Sequence, residues 1–140
     1  MQVLDADVLG TDISADAALF PNTIHMDFHE LKSEWLGVHD FIYSNALDHS
    51  YDPAHALRQW MRCLKPHGVV LLHHGNGHGI DFSTPLDPFG ARLEVMPALV
   101  SEWSGGAFAV VDAFDTGSGR VLVIGWGQSG ATPGDAARRR

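Results

Sequence analysis

The chain has 140 residues, 45% of them hydrophobic, which predicts one globular domain with a core of its own. Its formal net charge is −8 and three of its nine cations are Arg138, Arg139 and Arg140, so the rest of the chain is strongly acidic and would repel a nucleic acid. Cys63 is the only cysteine, which excludes an internal disulfide and a cysteine-based zinc site, and the lack of a secretion signal or a membrane-spanning apolar run predicts a cytoplasmic protein without a membrane partner.

Three short apolar runs in the first third of the sequence predict strands. They are residues 6–11 (ADVLGT), 23–28 (TIHMDF) and 39–45 (HDFIYSN), each rich in β-branched or apolar side chains. Asp12 directly follows the first run, and Asp27 lies at the end of the second.

A helix is predicted after the third strand. Asp52 followed by Pro53 is typical of a helix N-terminus, and four apolar residues then recur at helical spacing, namely Leu57, Trp60, Met61 and Leu64. Residues 64–68 (LKPHG) would end this helix in a turn, and residues 69–74 (VVLLHH) would form a buried strand.

The remaining elements are a second helix, a hairpin and a tail. Residues 91–103 predict a helix that is bent or restarted at Pro97. Residues 107–115 and 120–127, joined by TGSG, predict a β-hairpin, and residues 128–140 predict a disordered tail. The fold class is therefore α/β, a mostly parallel sheet with a C-terminal antiparallel hairpin.

Ligands of such sheets bind at the carboxyl ends of the strands. Polar residues lie at the exits of the predicted strands, so they could line one cleft: Asp12, Asp27, Ser44, Asn45 and the run from His73 to Gly75. Asp12 could instead cap the next helix, and Asp27 could belong to a turn.

The segments GTDIS, HMDFHE and HDFIYSNALDHSYDPAHALRQWMRCLKPHGVVLLHH, in this order, resemble the class I S-adenosylmethionine-dependent methyltransferase family from its second strand onward. Residues 40–68 are the most specific part, since they are similar to the family's fourth strand, the helix after it and its LKPGG-type turn. The resemblance implies a Rossmann-like methyltransferase sheet, the cofactor S-adenosylmethionine and methyl transfer to a small-molecule acceptor.

The resemblance also implies roles for single residues. Asp12 would hold the ribose hydroxyls of the cofactor, and Asp27 and Phe28 would flank its adenine. Ser44 and Asn45 would approach its methionine part. The residues that would face the cleft or the substrate are Leu47, Asp48 and His49.

Methyl transfer mainly requires that nucleophile, methyl carbon and sulfur are held in line in a dry cleft. A hydroxyl or amine acceptor also benefits from a base that removes its proton, and histidine suits neutral pH. His49 is the first candidate for this base and His74 the second.

The sequence departs from the family at its start. The family's first strand and glycine-rich loop precede the ribose acid by about 20 residues, whereas eleven residues precede Asp12 here and Gly10 is the only glycine among them. We therefore expect a methyltransferase-like domain over residues 1–127 that is truncated at its N-terminus. It could be a fragment, a half completed by another chain with self-association through the incomplete sheet, or a rearranged sheet in which residues 6–11 pair directly with residues 40–45.

Two other functions compete. Six residues, His73, His74, His78, His25, Asp27 and His29, offer donors for a zinc or iron site, but their spacing matches no standard motif, and we predict no bound metal. The chain could also be a non-catalytic binding or assembly module with a methyltransferase-like fold.

Overall fold

The computed structural model describes residues 6–127, which form two units that divide between Glu30 and Leu31. The first unit contains two short parallel strands, β1 (Gly10–Asp12) and β2 (Thr23–His25). A short 3-10 helix, Ala15–Leu19, connects them.

Both strands of this unit are shorter than predicted. The ladder contains three residue pairs, from Gly10 opposite Thr23 to Asp12 opposite His25, and residues 6–9 lie outside it. A strand is defined by its hydrogen-bonded partner, so an apolar run extends no further than the segment it pairs with. Both predicted ends of the first strand and the predicted C-terminal end of the second were therefore wrong, whereas β2 begins at Thr23 as predicted.

The second unit is built on a four-stranded sheet. Its strands are β3 (His39–Ser44), β4 (Leu64–Gly75), β5 (Phe108–Asp115) and β6 (Gly119–Trp126), in the order β3-β4-β6-β5. β3 and β4 are parallel, whereas β6 is antiparallel to both of its neighbours. Three strands thus run in one direction and β6 in the other, which confirms the predicted α/β sheet with a C-terminal hairpin.

Direct pairing of residues 6–11 with residues 40–45, one of the three alternatives that the sequence left open, is not among the ladders of the described residues. Within residues 6–127, β1 forms its ladder with β2, and β3 forms its ladder with β4. The other edge of β3 carries no strand from the described part of the chain.

The first helix, α1 (Pro53–Cys63), begins where the sequence predicts. Asp52 caps it by accepting a hydrogen bond from the backbone N–H of His55 at 2.9 Å, and Pro53 stands in the first turn. Its buried residues include Leu57, Trp60 and Met61, three members of the predicted apolar face, whereas the fourth, Leu64, is the first residue of β4.

The segment 64–68 differs from the prediction. The helix ends at Cys63 as expected, but β4 already begins at Leu64 and contains the whole predicted turn. His39 pairs with Leu64 and Phe41 with Val69, so the extra residues of β4 bulge out of the ladder, where Lys65 to His67 are exposed.

The second helix, α2 (Met96–Trp103), restarts next to Pro97 as predicted. A short 3-10 helix, Leu93–Val95, precedes it, and the proline occupies the first turn of α2. α2 contacts β5 and α1, and α1 contacts β4.

Side chains of the sheet alternate between a covered and an open face. Val70 pairs with Ile124 and Leu72 with Leu122, and all four are buried. Phe41 pairs with Val69 and Tyr43 with Leu71 on the opposite face, where the two aromatic side chains are 36% and 53% exposed. The core therefore lies on the face that carries the helices.

The prediction of one domain over residues 1–127 stays a prediction, and the predicted tail 128–140 lies outside the described residues. Residues 6–127 include no helix with the length and apolar character needed to cross a membrane.

Candidate functional site

Two neighbouring parallel strands of the second unit end at the same edge of the sheet. Ser44, the last residue of β3, pairs with Leu72 of β4, and β4 continues to Gly75. The polar residues after β3 and those at the end of β4 are brought together by this register. This edge is the candidate site.

The chain leaves β3 in a tight turn. Ser44 accepts a hydrogen bond on Oγ from the backbone N–H of Ala46 at 3.2 Å, and Asn45 is exposed. Leu47 begins a short 3-10 helix, Leu47–His49, and its side chain is 3% exposed. Leu47 therefore anchors the turn in the core, while Asp48 and His49 follow it.

His49 is paired with an aspartate that sequence analysis missed. His49 Nδ1 lies 2.5 Å from Asp87 Oδ1, and Thr84 donates a hydrogen bond from Oγ1 to Asp87 Oδ2 at 3.2 Å. The backbone N–H of Asp87 donates to the same threonine oxygen at 3.0 Å. The Thr-x-x-Asp pattern of Thr84 and Asp87 could have predicted a turn from the sequence. Its contact with His49, which is distant in the chain, has no local signal.

Asp48 connects the turn to the loop after β4. Its Oδ2 lies 3.6 Å from His78 Nε2, and its backbone carbonyl accepts a hydrogen bond from the N–H of Phe89 at 3.0 Å. Its Oδ1 is buried and has no hydrogen-bond partner in residues 6–127. Asp48 thus fixes the loop backbone and keeps one carboxylate oxygen unpaired.

His74 is buried at the end of β4, with 8% of its surface exposed. Burial lowers the pKa of its imidazole from the ordinary value of 6.5, and the nearby His78 lowers that pKa further, while a hydrogen bond with the backbone of Ala91 opposes both. The two rings meet edge to face with centroids 5.5 Å apart. His74 is therefore neutral at neutral pH and able to accept a proton.

His74 also lines a cavity of about 650 Å³. The cavity lies between the end of β4, the turn of the β5–β6 hairpin and the segment before α2. Its charged lining residues are Arg92, Glu94, Asp115 and Arg120.

The histidines of the alternative metal site do not converge. His73 lies on the open face of the sheet, with Nδ1 3.4 Å from the hydroxyl of Tyr43 and Nε2 3.2 Å from Thr116 Oγ1. His74 lies on the opposite face because neighbouring residues of a strand alternate. His73, His74 and His78 therefore cannot share one ion, and this alternative was wrong.

Asp48, His49 and Asp87 are the one group of three metal-type donors that converges within residues 6–127, with ligand atoms within 4.8 Å of one another. Neighbouring ligands of an octahedral ion, each about 2.1 Å from it, stand about 3 Å apart. The 2.5 Å between His49 Nδ1 and Asp87 Oδ1 is instead a charge-assisted hydrogen-bond distance. As arranged, the group is a hydrogen-bonded pair beside a carboxylate.

The predicted cofactor acids lie in the first unit. Asp12 ends β1, and its Oδ1 accepts a hydrogen bond from the N–H of Ser14 at 2.7 Å, while its Oδ2 has no partner among the described residues. Asp27 Oδ1 accepts from the N–H of His29 at 2.9 Å and lies 2.6 Å from His29 Nδ1. Phe28 stacks on His29 with ring centroids 4.6 Å apart. Asp12 thus combines a local cap with a free carboxylate oxygen at a strand exit.

Sequence comparison finds a match to a family described as "Methyltransferase domain", which covers residues 1–72. No curated protein matches the sequence at a significant level.

The fold is similar to those of several solved structures. The citrinin polyketide synthase CMeT domain has a TM-score of 0.59 at 14% identity, and a protein described as a type 11 methyltransferase from Sulfolobus solfataricus has 0.57 at 21%. Each match covers 86% of this chain, but 38% of the first protein and 71% of the second.

An O-methyltransferase from neocarzinostatin biosynthesis, in complex with S-adenosyl-L-homocysteine and 1,4-dihydroxy-2-naphthoic acid, has a TM-score of 0.57 at 16% identity. That match covers 74% of this chain and 33% of the neighbour. This chain therefore spans only 38% and 33% of the length of two of these three structures.

Proposed function

Because the chain belongs to the class I methyltransferase family, we propose that it transfers a methyl group from S-adenosylmethionine to a hydroxyl of a small-molecule acceptor. The observation that carries this proposal is the position of two histidines at the sheet edge where the neighbouring strands β3 and β4 end. His49 follows β3, and His74 lies near the end of β4. The O-methyltransferase neighbour that holds S-adenosyl-L-homocysteine and a dihydroxynaphthoic acid supports a hydroxyl acceptor.

His49 has the geometry of a general base. Its Nδ1 is engaged by Asp87, which fixes the tautomer in which Nε2 carries the lone pair. This nitrogen can take the acceptor's proton while the oxygen–methyl bond forms and the methyl–sulfur bond breaks. Asp87 stabilises the imidazolium that results, so it acts by positioning His49.

His74 is the second candidate for the same step. It is neutral because burial and His78 lower its pKa, and it lines the 650 Å³ cavity. A buried neutral imidazole accepts a proton only where the acceptor reaches it, which requires that the acceptor enters this cavity.

S-adenosylmethionine supplies an electrophilic methyl group when it is bound. The residues proposed to hold it are Asp12 at the ribose, Asp27 and Phe28 at the adenine, and Ser44 with Asn45 at the methionine part. The free Oδ2 of Asp12 fits this role because a ribose diol needs an unpaired acceptor.

Two measurements test the proposal. Transfer of a radiolabelled methyl group from S-adenosylmethionine to a panel of hydroxylated small molecules should be detectable and should fall at least tenfold in His49→Ala. Calorimetry with S-adenosyl-L-homocysteine should show weaker binding in Asp12→Asn, which keeps the cap to Ser14 but loses the charge, and unchanged binding in the matched control Asp16→Asn. Absence of both cofactor binding and transfer would leave a non-catalytic module as the better description.

A further inference from the structure

Arg92 differs from every other cation in the described part of the chain because its side chain has no partner there. Lys65 and Arg120 form ion pairs with Asp40 and Asp115. The other three are also engaged: Arg58 with the carbonyl of Trp103, Arg62 with Gln59, and Lys32 over the ring of Trp35. In a chain with a net charge of −8, an unpaired guanidinium is a site where an anionic ligand can bind.

Arg92 borders an apolar groove as well as the His74 cavity. The groove has a volume of about 500 Å³, and Arg92 is its only charged lining residue. The other lining residues are Ile80, Phe89, Gly90, Ala91, Val95 and Leu99. A groove of this kind suits a ligand with an apolar body and one anionic group.

The groove is held by packing and by backbone hydrogen bonds. The ring of Phe89 meets that of Trp103 edge to face at 5.7 Å, and the N–H of Ala91 donates to the carbonyl of His78 at 3.1 Å. Arg92 follows Ala91 directly, so its backbone is fixed next to His74. A ligand paired with Arg92 could therefore extend from the groove toward the His74 cavity.

The charge balance favours a carboxylate over a phosphate. One guanidinium matches one negative charge and can bind a carboxylate through two parallel hydrogen bonds. A doubly charged phosphate would require further cations, but Arg120 is already paired with Asp115, and Glu94 also lines the neighbouring cavity.

We propose that Arg92 and the apolar groove beside it bind a carboxylic acid with an apolar body, and that this acid is the methyl acceptor. Binding of the acid follows from the groove and its single charge. Its role as the methyl acceptor rests on the function proposed above, because that role places the acceptor beside His74.

Calorimetry on the full 140-residue chain without cofactor tests the binding of the acid at Arg92, with 1-hydroxy-2-naphthoic acid and its neutral amide as probes. We expect the acid to bind at least tenfold more tightly than the amide. Arg92→Gln should remove this difference, whereas Arg62→Gln, a substitution of another exposed arginine, should preserve it. Val95→Glu, which places a carboxylate in the groove, should weaken binding of the acid more than that of the amide.

Equal affinity for acid and amide, or an unchanged preference in Arg92→Gln, would overturn the binding site. Methyl transfer to the same acid, measured separately, tests whether this acid is the methyl acceptor. If charge-dependent binding holds and the chain methylates other hydroxyl compounds but not the acid, the site stands and its assignment to the acceptor is wrong. If it methylates none of them, the proposed function fails while the binding site stands.

Discussion

His49 Nδ1 and Asp87 Oδ1 lie 2.5 Å apart, although one follows β3 and the other belongs to the loop between β4 and α2. If this contact fixes the tautomer of a general base, Asp87→Asn should lower kcat for methyl transfer about tenfold or more. The side-chain NH2 of asparagine can donate to Nδ1, and this favours the tautomer in which Nε2 carries the proton and cannot act as the base. Steady-state kinetics of Asp87→Asn and of the control Asp81→Asn, which replaces an exposed acid of the same loop, check this. An equal loss in both variants would remove Asp87 from the mechanism.

Stability should fall in mild acid because of His74. Its pKa in the folded chain is lowered by burial and then by His78, so the unfolded chain binds the proton more tightly. The stabilising contribution is therefore fully present above the unfolded pKa of about 6.5 and is lost as the pH falls toward the folded value. Urea unfolding at pH 7.5 and 5.5 should show a smaller loss in His74→Gln than in the wild type, and no such difference for the exposed control His67→Gln.

Gly119 is required at the hairpin turn. Its φ is +155°, and a Cβ at this position would lie 2.4 Å from the carbonyl oxygen of His74. Backbone in this region costs about 1–3 kcal/mol for a residue with a side chain, so Gly119→Ala should lower the free energy of unfolding by at least that amount. Gly77→Ala is the matched control, because nothing lies within 4 Å of its added Cβ and its φ is not positive. Thermal melts of equal midpoint in both variants would contradict the expected strain.

We expect the isolated chain to self-associate through β3. Within residues 6–127 one edge of this strand has no partner strand, and Phe41 and Tyr43 are 36% and 53% exposed beside it. Phe41→Lys should shift the chain toward the monomer, since a charged edge residue opposes strand pairing. Light scattering over a range of concentrations measures this, with Leu19→Lys, a change outside the four-stranded sheet, as control. A wild-type chain that stays monomeric at high concentration would contradict the prediction.

We expect purified protein to contain no stoichiometric zinc, iron or nickel, and a chelator to leave its Tm unchanged. The reason is the hydrogen-bond distance between His49 and Asp87, which leaves no room for an ion between them. Elemental analysis checks this. One metal per chain that is lost in Asp48→Asn but kept in His73→Ala, whose side chain lies on the other face, would replace the proposed base with a metal site.

Local signals in the sequence determined much of the sheet unit. Asp52 and Pro53 predicted the start of α1 because capping and the fixed φ of proline act within one turn. The glycines of TGSG predicted the β5–β6 hairpin for the same reason, and the run 39–45 predicted β3 to within one residue. Residues 40–68, which contain most of this run and the start of α1, also carried the most specific part of the family resemblance.

Only the tertiary structure decided which distant side chains meet. Asp87 pairs with His49 because the N–H of Phe89 binds the carbonyl of Asp48 and brings the loop onto the turn, a contact with no local pattern. The alternation of β4 separates His73 from His74, which the histidine-rich run had suggested as joint ligands. The lengths of β1 and β2 were likewise set by each other, because a strand ends where its partner's hydrogen-bonding groups end.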